Sequence, residues 1–191
     1  MTRSYRTRPK DIIAGERMPR DRHGQFIFPR ITVRKPKLGD IHPLDRKMIA
    51  IAYRKLPLEY FYGLREIELR ARSSGVGKPF GKYSPSARKI ILYSVPPRQW
   101  NIANASAGLI SALRHCAAKI NNTERGIIAE WETDFLLSFF YLGVLFHELG
   151  HHYMHQYKCK HRPPMDIDLN EWHADAQVVK LQKHAFGRRM D

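Results

Sequence analysis

Cysteine is scarce. The 191 residues hold two, Cys116 and Cys159, with no C-x-x-C pair. That excludes a disulfide framework and makes a reducing compartment the default. Long apolar runs are missing too. The longest, FLLSFFYLGVLF at 135–146, has 12 residues, against the roughly 20 that a membrane span needs. It reads as a buried helix, and no membrane span is expected. The first twenty residues, MTRSYRTRPKDIIAGERMPR, lack an apolar core of signal-peptide length. They are Arg-rich like an organellar transit peptide, but Asp11, Glu16 and the prolines argue against one. A soluble, cytoplasmic protein is the expectation.

Acidic residues are the third shortage: 18 Asp+Glu stand against 33 Lys+Arg, a net charge of +15. The imbalance is uneven. Residues 1–40 carry +7, residues 41–125 carry +10 and residues 126–191 carry −2. A basic field of this size attracts polyanions without specifying which. Hydrophobic content of 43% is ordinary for a globular chain, and the length allows one domain with a proper core plus an extension.

Residues 1–43 are rich in Arg and Pro and show little periodicity, so they read as a basic surface arm, with residues 44–191 as the domain. Within the arm only QFIFPRITVR (25–34) alternates like a strand, and Pro29 restricts it to a sheet edge. From Leu44, LDRKMIAIAYRKLP repeats apolar residues at helical spacing and stops at Pro57. REIELRARSS (65–74) alternates as a half-buried strand does, and RKIILYSV (88–95) reads as a second strand, stopped by Pro96-Pro97. The intervening GVGKPFGKYSPSA is turn chemistry, across which the two strands would pair as antiparallel neighbours. NIANASAGLISALRHCAAKI (101–120) predicts a helix, and GIIAEWE (126–132) is ambiguous. A long central helix is expected over about 134–157, and a last helix from about Leu169 to Phe186, ending near Gly187.

What the chain has in excess near its end is histidine. LFHELGHHYMHQ (145–156) contains His147-Glu148-Leu149-Gly150-His151, an H-E-x-x-H on the expected helix. Four residues of helix turn through about 400°, so His147 and His151 project from one face, one turn apart, and can grip one zinc ion. Glu148 lies about 100° further round. From there its carboxylate reaches a water beside the metal and can act as general base. The preceding apolar run supplies the rigid, dry support that a metal site of fixed geometry needs.

A catalytic zinc takes three protein ligands and keeps one position open. The H-E-x-x-H-x-x-G-x-x-H extension fails, because Met154 and Tyr157 stand where Gly and His would be. Candidates for the third ligand are His155, His161, Asp166, Asp168, Glu171 and His173. Glu171 stands out, since it lies on the next helix, after a loop long enough to turn the chain back. Asp175, one turn beyond, can accept the other ring N–H of a ligand histidine.

HELGH followed by EWHAD (171–175) resembles the gluzincin group of zinc metallopeptidases. The compact layout of about residues 44–187 resembles the minigluzincins and the ImmA/IrrE-type peptidases. The resemblance implies an α+β, zincin-like fold in which a small antiparallel or mixed sheet packs on the H-E-x-x-H helix and a following Glu helix. It implies zinc on His147, His151 and Glu171, Glu148 as general base, and Asp175 orienting a ligand histidine. It also implies a protein or peptide substrate added as a strand to a sheet edge, for which RKIILYS is a candidate. Neither the arm nor the charge is explained by the resemblance. They leave two further readings: a nucleic-acid-associated protein on a zincin scaffold, contacting nucleic acid through the arm, and a precursor whose arm fills the cleft until it is cut.

Overall fold

EIELR and the apolar run of KIILY, each buried over most of its length, lie at the centre of a four-stranded sheet. The computed structural model describes residues 12–13, 16–17, 28–72, 80–115, 118–158 and 167–187. After a short ladder between β1 (Ile12–Ile13) and β2 (Glu16–Arg17), the main sheet is built from β3 (Arg30–Val33), β4 (Glu66–Arg70), β5 (Gly81–Ser84) and β6 (Lys89–Tyr93) in the order β3-β4-β6-β5. β3, β4 and β6 run parallel, and β5 is antiparallel on the edge. Ile31, Ile67, Leu69, Ile90 and Leu92 bury one face of this sheet in the core.

The sheet corrects two expectations. β4 and β6 are neighbours but parallel. GKYS, read as turn chemistry because Tyr83 is its one large apolar residue, forms the antiparallel partner of β6 instead. RKIILYS is therefore an internal strand, paired on both sides, and cannot add a peptide. The edges are β3 and β5, and it is β5 that lies against α4. Tyr93 N–H donates to Phe80 O at 2.9 Å. By antiparallel alternation, the amide groups of Gly81 and Tyr83 then face away from β6, toward the open side.

β3 is an edge strand directly after Pro29, as the sequence indicates. It also shows that the segment assigned to the arm joins the domain before Leu44. Beyond β3, Ile41 bridges Val95, and the buried Asp40 takes Arg72 Nε at 2.8 Å and Ser94 Oγ at 3.1 Å. The cation clusters expected of the arm before residue 28 lie almost wholly outside the described residues, as do Cys116, Cys159, His161, Asp166 and the side chain of Asp168.

α1 (Arg46–Lys55) begins where Asp45 accepts the Met48 N–H at 2.8 Å, an N-cap, and it buries Ile49, Ala52 and Tyr53. The helix expected over 101–120 is a strand, a shorter helix and another strand: β7 (Gln99–Ala103), α2 (Ala107–His115) and β8 (Lys119–Thr123). Pairing decides the matter. β9 (Gly126–Glu130) lies between β7 and β8, matching Ile102 with Ile127 and Ile120 with Ala129. Asn104, at φ +53, ends β7.

Residues 133–158 are helical throughout. α3 (Thr133–Ser138) leads into a π-helical stretch (Phe139–Leu145), then α4 (Phe146–Tyr153) and a second π-helical turn (Met154–Lys158). Phe140, Leu145, Phe146 and Leu149 are fully buried, which fixes the helix in the core. α5 (Ile167–Phe186) packs along α4 and is followed by Gly187 at φ +71. The chain is thus a mixed α+β protein, with a four-stranded sheet, a three-stranded sheet and the short β1–β2 ladder among the described residues. Among the described residues, no helix is long and apolar enough to cross a membrane.

Candidate metal centre

α4 and α5 bring the candidate ligands together through one close crossing. A β-carbon on Gly150 would lie 2.8 Å from the Ala174 carbonyl oxygen and 3.1 Å from its Cα. Only glycine on α4, facing fully buried Ala174 on α5, permits this approach. Glu171 and Asp175 flank Ala174 in sequence and are carried to the histidine face of α4.

There the geometry closes. His147 Nε2 and His151 Nε2 are 3.0 Å apart, with the rings perpendicular. Glu171 places Oε2 at 3.0 Å from His147 Nε2 and Oε1 at 3.4 Å from His151 Nε2. Asp175 Oδ1 sits 2.9 Å from His147 Nδ1. Neutral imidazole carries one proton. Placing it on Nδ1, donated to Asp175, leaves the Nε2 lone pair aimed at Glu171 and His151.

The donor set fits a zinc ion. Tetrahedral zinc, with ligand bonds of about 2.0–2.1 Å, separates its ligand atoms by about 3.3 Å; the two Nε2 atoms stand 3.0 Å apart, each has a Glu171 oxygen at 3.0 or 3.4 Å, and one ligand atom from each residue lies within 4.8 Å of the others. Two imidazole nitrogens and a carboxylate gathered this closely are better matched to a cation than to one another. Burial, with His147 next to it, lowers the His151 pKa and favours the neutral ring. Glu171 remains half-exposed, which leaves the cluster accessible from solvent.

Glu148 points to the other side of α4, toward β5. It is 6% exposed, and burial pushes its pKa up to about 7. The Glu171 charge adds to the rise, while His147 and the Tyr83 N–H oppose it. That N–H is one of the two on the open edge of β5. A β-carbon on Gly81 would come within 2.9 Å of Glu148 Oε1 and 2.8 Å of Val144 Cγ1, so glycine at 81 lets the strand pass against the carboxylate.

Tyr83 is anchored from beneath. His152 is fully buried and places Nε2 at 3.1 Å from the Tyr62 carbonyl oxygen, so that nitrogen must donate. Its Nδ1 is then an acceptor and takes the Tyr83 O–H at 3.1 Å. His155 Nδ1, also 3.1 Å from the hydroxyl, must donate to the Tyr83 oxygen. Burial depresses the His152 pKa to about 4, in keeping with a neutral ring.

Of the residues singled out in the sequence, His147, His151 and Glu171 meet within 4.8 Å, Asp175 reaches His147, and Glu148 lies against β5. His155 is held by Tyr83, and His173 meets the Trp172 ring edge-on. Neither joins the cluster. Sequence reasoning missed Gly81, Tyr83, Gly150 and Ala174. The available signal was the glycine inside HELGH, where a helix of this kind otherwise favours alanine. No family model, no curated protein and no solved structure matches the chain.

Proposed function

We propose that the chain is a zinc-dependent metallopeptidase of the gluzincin type, on a zincin-like fold, that hydrolyses peptide bonds in a protein or peptide substrate. The observation that carries this reading is the convergence of His147 Nε2, His151 Nε2 and the Glu171 carboxylate at separations of 3.0–3.4 Å. An antiparallel edge strand beside the H-E-x-x-H helix supports it further.

His147, His151 and Glu171 would hold the zinc, and Asp175 fixes the His147 ring by accepting from Nδ1. A zinc ion held there supplies Lewis acidity, which polarises a carbonyl and acidifies water. Glu148 accepts a proton from the attacking water and returns it to the departing amine nitrogen. Its burial brings its pKa near neutrality, where it can do both. The outward N–H and C=O of Gly81 and the outward C=O of Tyr83 offer hydrogen bonds to an extended peptide laid along β5, the Tyr83 N–H being taken by Glu148. Strand addition at Tyr83 would hold the scissile bond beside Glu148.

Metal analysis of the purified chain tests this reading. About one zinc per molecule is expected, with strong loss in His147→Ala and in Glu171→Ala. Full zinc and full activity in Glu171→Ala would remove the gluzincin assignment and make His155 or His161 the suspected third ligand. A second reading, a nucleic-acid-associated regulatory protein on the same scaffold, is favoured by the net charge of +15. Retention of Glu148 in its buried site favours the enzyme, because metal binding alone does not need it.

A further inference from the structure

The four-stranded sheet has a second face, and it is charged. Residues that alternate with the core positions of β3, β4, β6 and β5 share this face: Arg30 and Thr32, then Glu66, Glu68 and Arg70, then Lys89 and Tyr93, and finally Lys82, with Arg34 just past β3. The ion pairs confirm the shared side. Arg30 reaches Glu66 at 3.2 Å, and Arg34 and Arg70 both reach Glu68, at 3.4 and 2.7 Å. Lys89 bridges both glutamates at 2.9 Å. Five cations thus stand over two carboxylates. The carboxylates are buried, and the outer cations are not. Arg30 is 75% exposed, Arg34 68% and Arg70 44%, and Lys82 is exposed as well.

We propose that this face binds nucleic acid through its phosphate backbone. Glu66 and Glu68 hold Arg30, Arg34, Arg70 and Lys89 in place without neutralising them, and exposed Lys82 adds a further charge on β5, so an excess of positive charge is presented on this surface. The face spans four strands, about 14 Å at about 4.8 Å per strand spacing. That width covers about four phosphates of one duplex strand, at about 3.4 Å of axis per phosphate. Guanidinium groups suit this partner, because their planar donors match phosphate oxygens. An anionic membrane fits less well. Among the described residues no exposed large apolar side chain lies on this face to enter lipid, and Ile91 at its centre is buried. The surface is separate from the histidine cluster and does not depend on the metallopeptidase reading. It also places a polyanion contact on the folded sheet rather than solely on the N-terminal arm.

The test uses the full chain and fluorescein-labelled 20-mer oligonucleotides of unrelated sequence, duplex and single-stranded, with anisotropy read at 50 and 200 mM salt. The triple variant R30Q/R34Q/K82Q removes three exposed cations and leaves Arg70 and Lys89 on the glutamates. Its affinity should fall at least tenfold at 50 mM salt. Its log–log salt slope should flatten by two to three, at about 0.9 per lost phosphate contact. The matched variant R46Q/K47Q/K55Q removes the same charge from α1, in the layer on the other face of the sheet, and should stay within about twofold of wild type, the scatter expected of an untargeted charge change. Unchanged melting temperatures of both variants keep the comparison interpretable. If R30Q/R34Q/K82Q melts early, R30K/R34K/K82R, which keeps the charge, should restore binding. Equal losses in the two triple variants overturn the proposal, as does absence of oligonucleotide binding by wild type at 50 mM salt. Binding to phosphatidylserine vesicles that exceeds oligonucleotide binding and is lost in R30Q/R34Q/K82Q overturns it in favour of a membrane.

Discussion

A β-carbon on Gly150 would stand 2.8 Å from the carbonyl oxygen of Ala174. That contact sets the distance between the helix bearing His147 and His151 and the helix bearing Glu171. Helix propensity alone would favour alanine over glycine at position 150 by about 1 kcal/mol. The clash should win, because backbone cannot move aside as a flexible side chain can. Gly150→Ala should weaken zinc binding at least tenfold, in the range seen when the groups supporting a metal's ligands are disturbed. Gly143→Ala is the internal control. There the new carbon would meet only Phe139, at 3.6 Å, and stability should hold or rise by up to about 1 kcal/mol. Zinc titration of both variants against a chromophoric chelator, with thermal melts, gives both answers.

The Asp175–His147 contact predicts a graded loss. Asp175→Ala removes the acceptor for Nδ1 and frees the ring to rotate and to exchange tautomers. Zinc affinity should fall about 10- to 100-fold, less than in His147→Ala, and the fold should persist. Affinity equal to wild type would show that the 2.9 Å contact does not orient the ligand.

Tyr83→Phe deletes the hydroxyl between His152 and His155 and leaves His152 Nδ1 buried without a donor. The loss should be about 1–3 kcal/mol, read from urea unfolding, with zinc content unchanged. The strand position beside Glu148 depends on the same anchor, so peptide turnover should fall while metal stays bound. A variant as stable as wild type would mean that the hydroxyl does not carry the load that the geometry assigns to it.

Acid stability should report on the charged sheet face. The Arg70 hydrogen bond, opposed by burial and aided by Lys89, holds Glu68 down at about 2, against an ordinary value of 4.5. A depressed carboxylate contributes stability that is present above the unfolded pKa and lost as pH falls through the folded one. With its cationic partners largely in solvent, Glu68 should supply on the order of 1 kcal/mol at neutral pH, lost between about pH 4.5 and 2. Unfolding free energies of wild type and Glu68→Gln should converge across that window. Parallel curves would show that Glu68 is not held ionised.

Much of the site was legible because it is helical and local. His147 and His151 are one turn apart on an uninterrupted helix, and spacing alone puts them on one face. Glu171 and Asp175 share a face for the same reason. The third member of the cluster needed more, since only the Gly150–Ala174 crossing brings Glu171, and not His155 or His173, to the two histidines, and a crossing is a tertiary contact. The sheets were less legible. GKYS has too few apolar residues to announce β5, yet pairing with KIILY makes it a strand, and the strand order could not be read across a Gly/Pro loop. NIANA shares its helical spacing with the segment SAGLISALRH directly after it, but pairing of Ile102 with Ile127 outweighs that local signal.

The proposed chemistry stands or falls on Glu148 moving the proton for a zinc-dependent peptide hydrolysis. The decisive measurement is mass-spectrometric digestion of a peptide library by zinc-loaded wild type and by zinc-loaded Glu148→Gln, each with its metal content determined. Wild type should cleave, with cleavage suppressed by chelation and restored by zinc. Glu148→Gln should lose at least a hundredfold, on the order of a general base's contribution, with zinc retained. Cleavage by Glu148→Gln at the wild-type rate, or cleavage indifferent to zinc, would refute this role for Glu148.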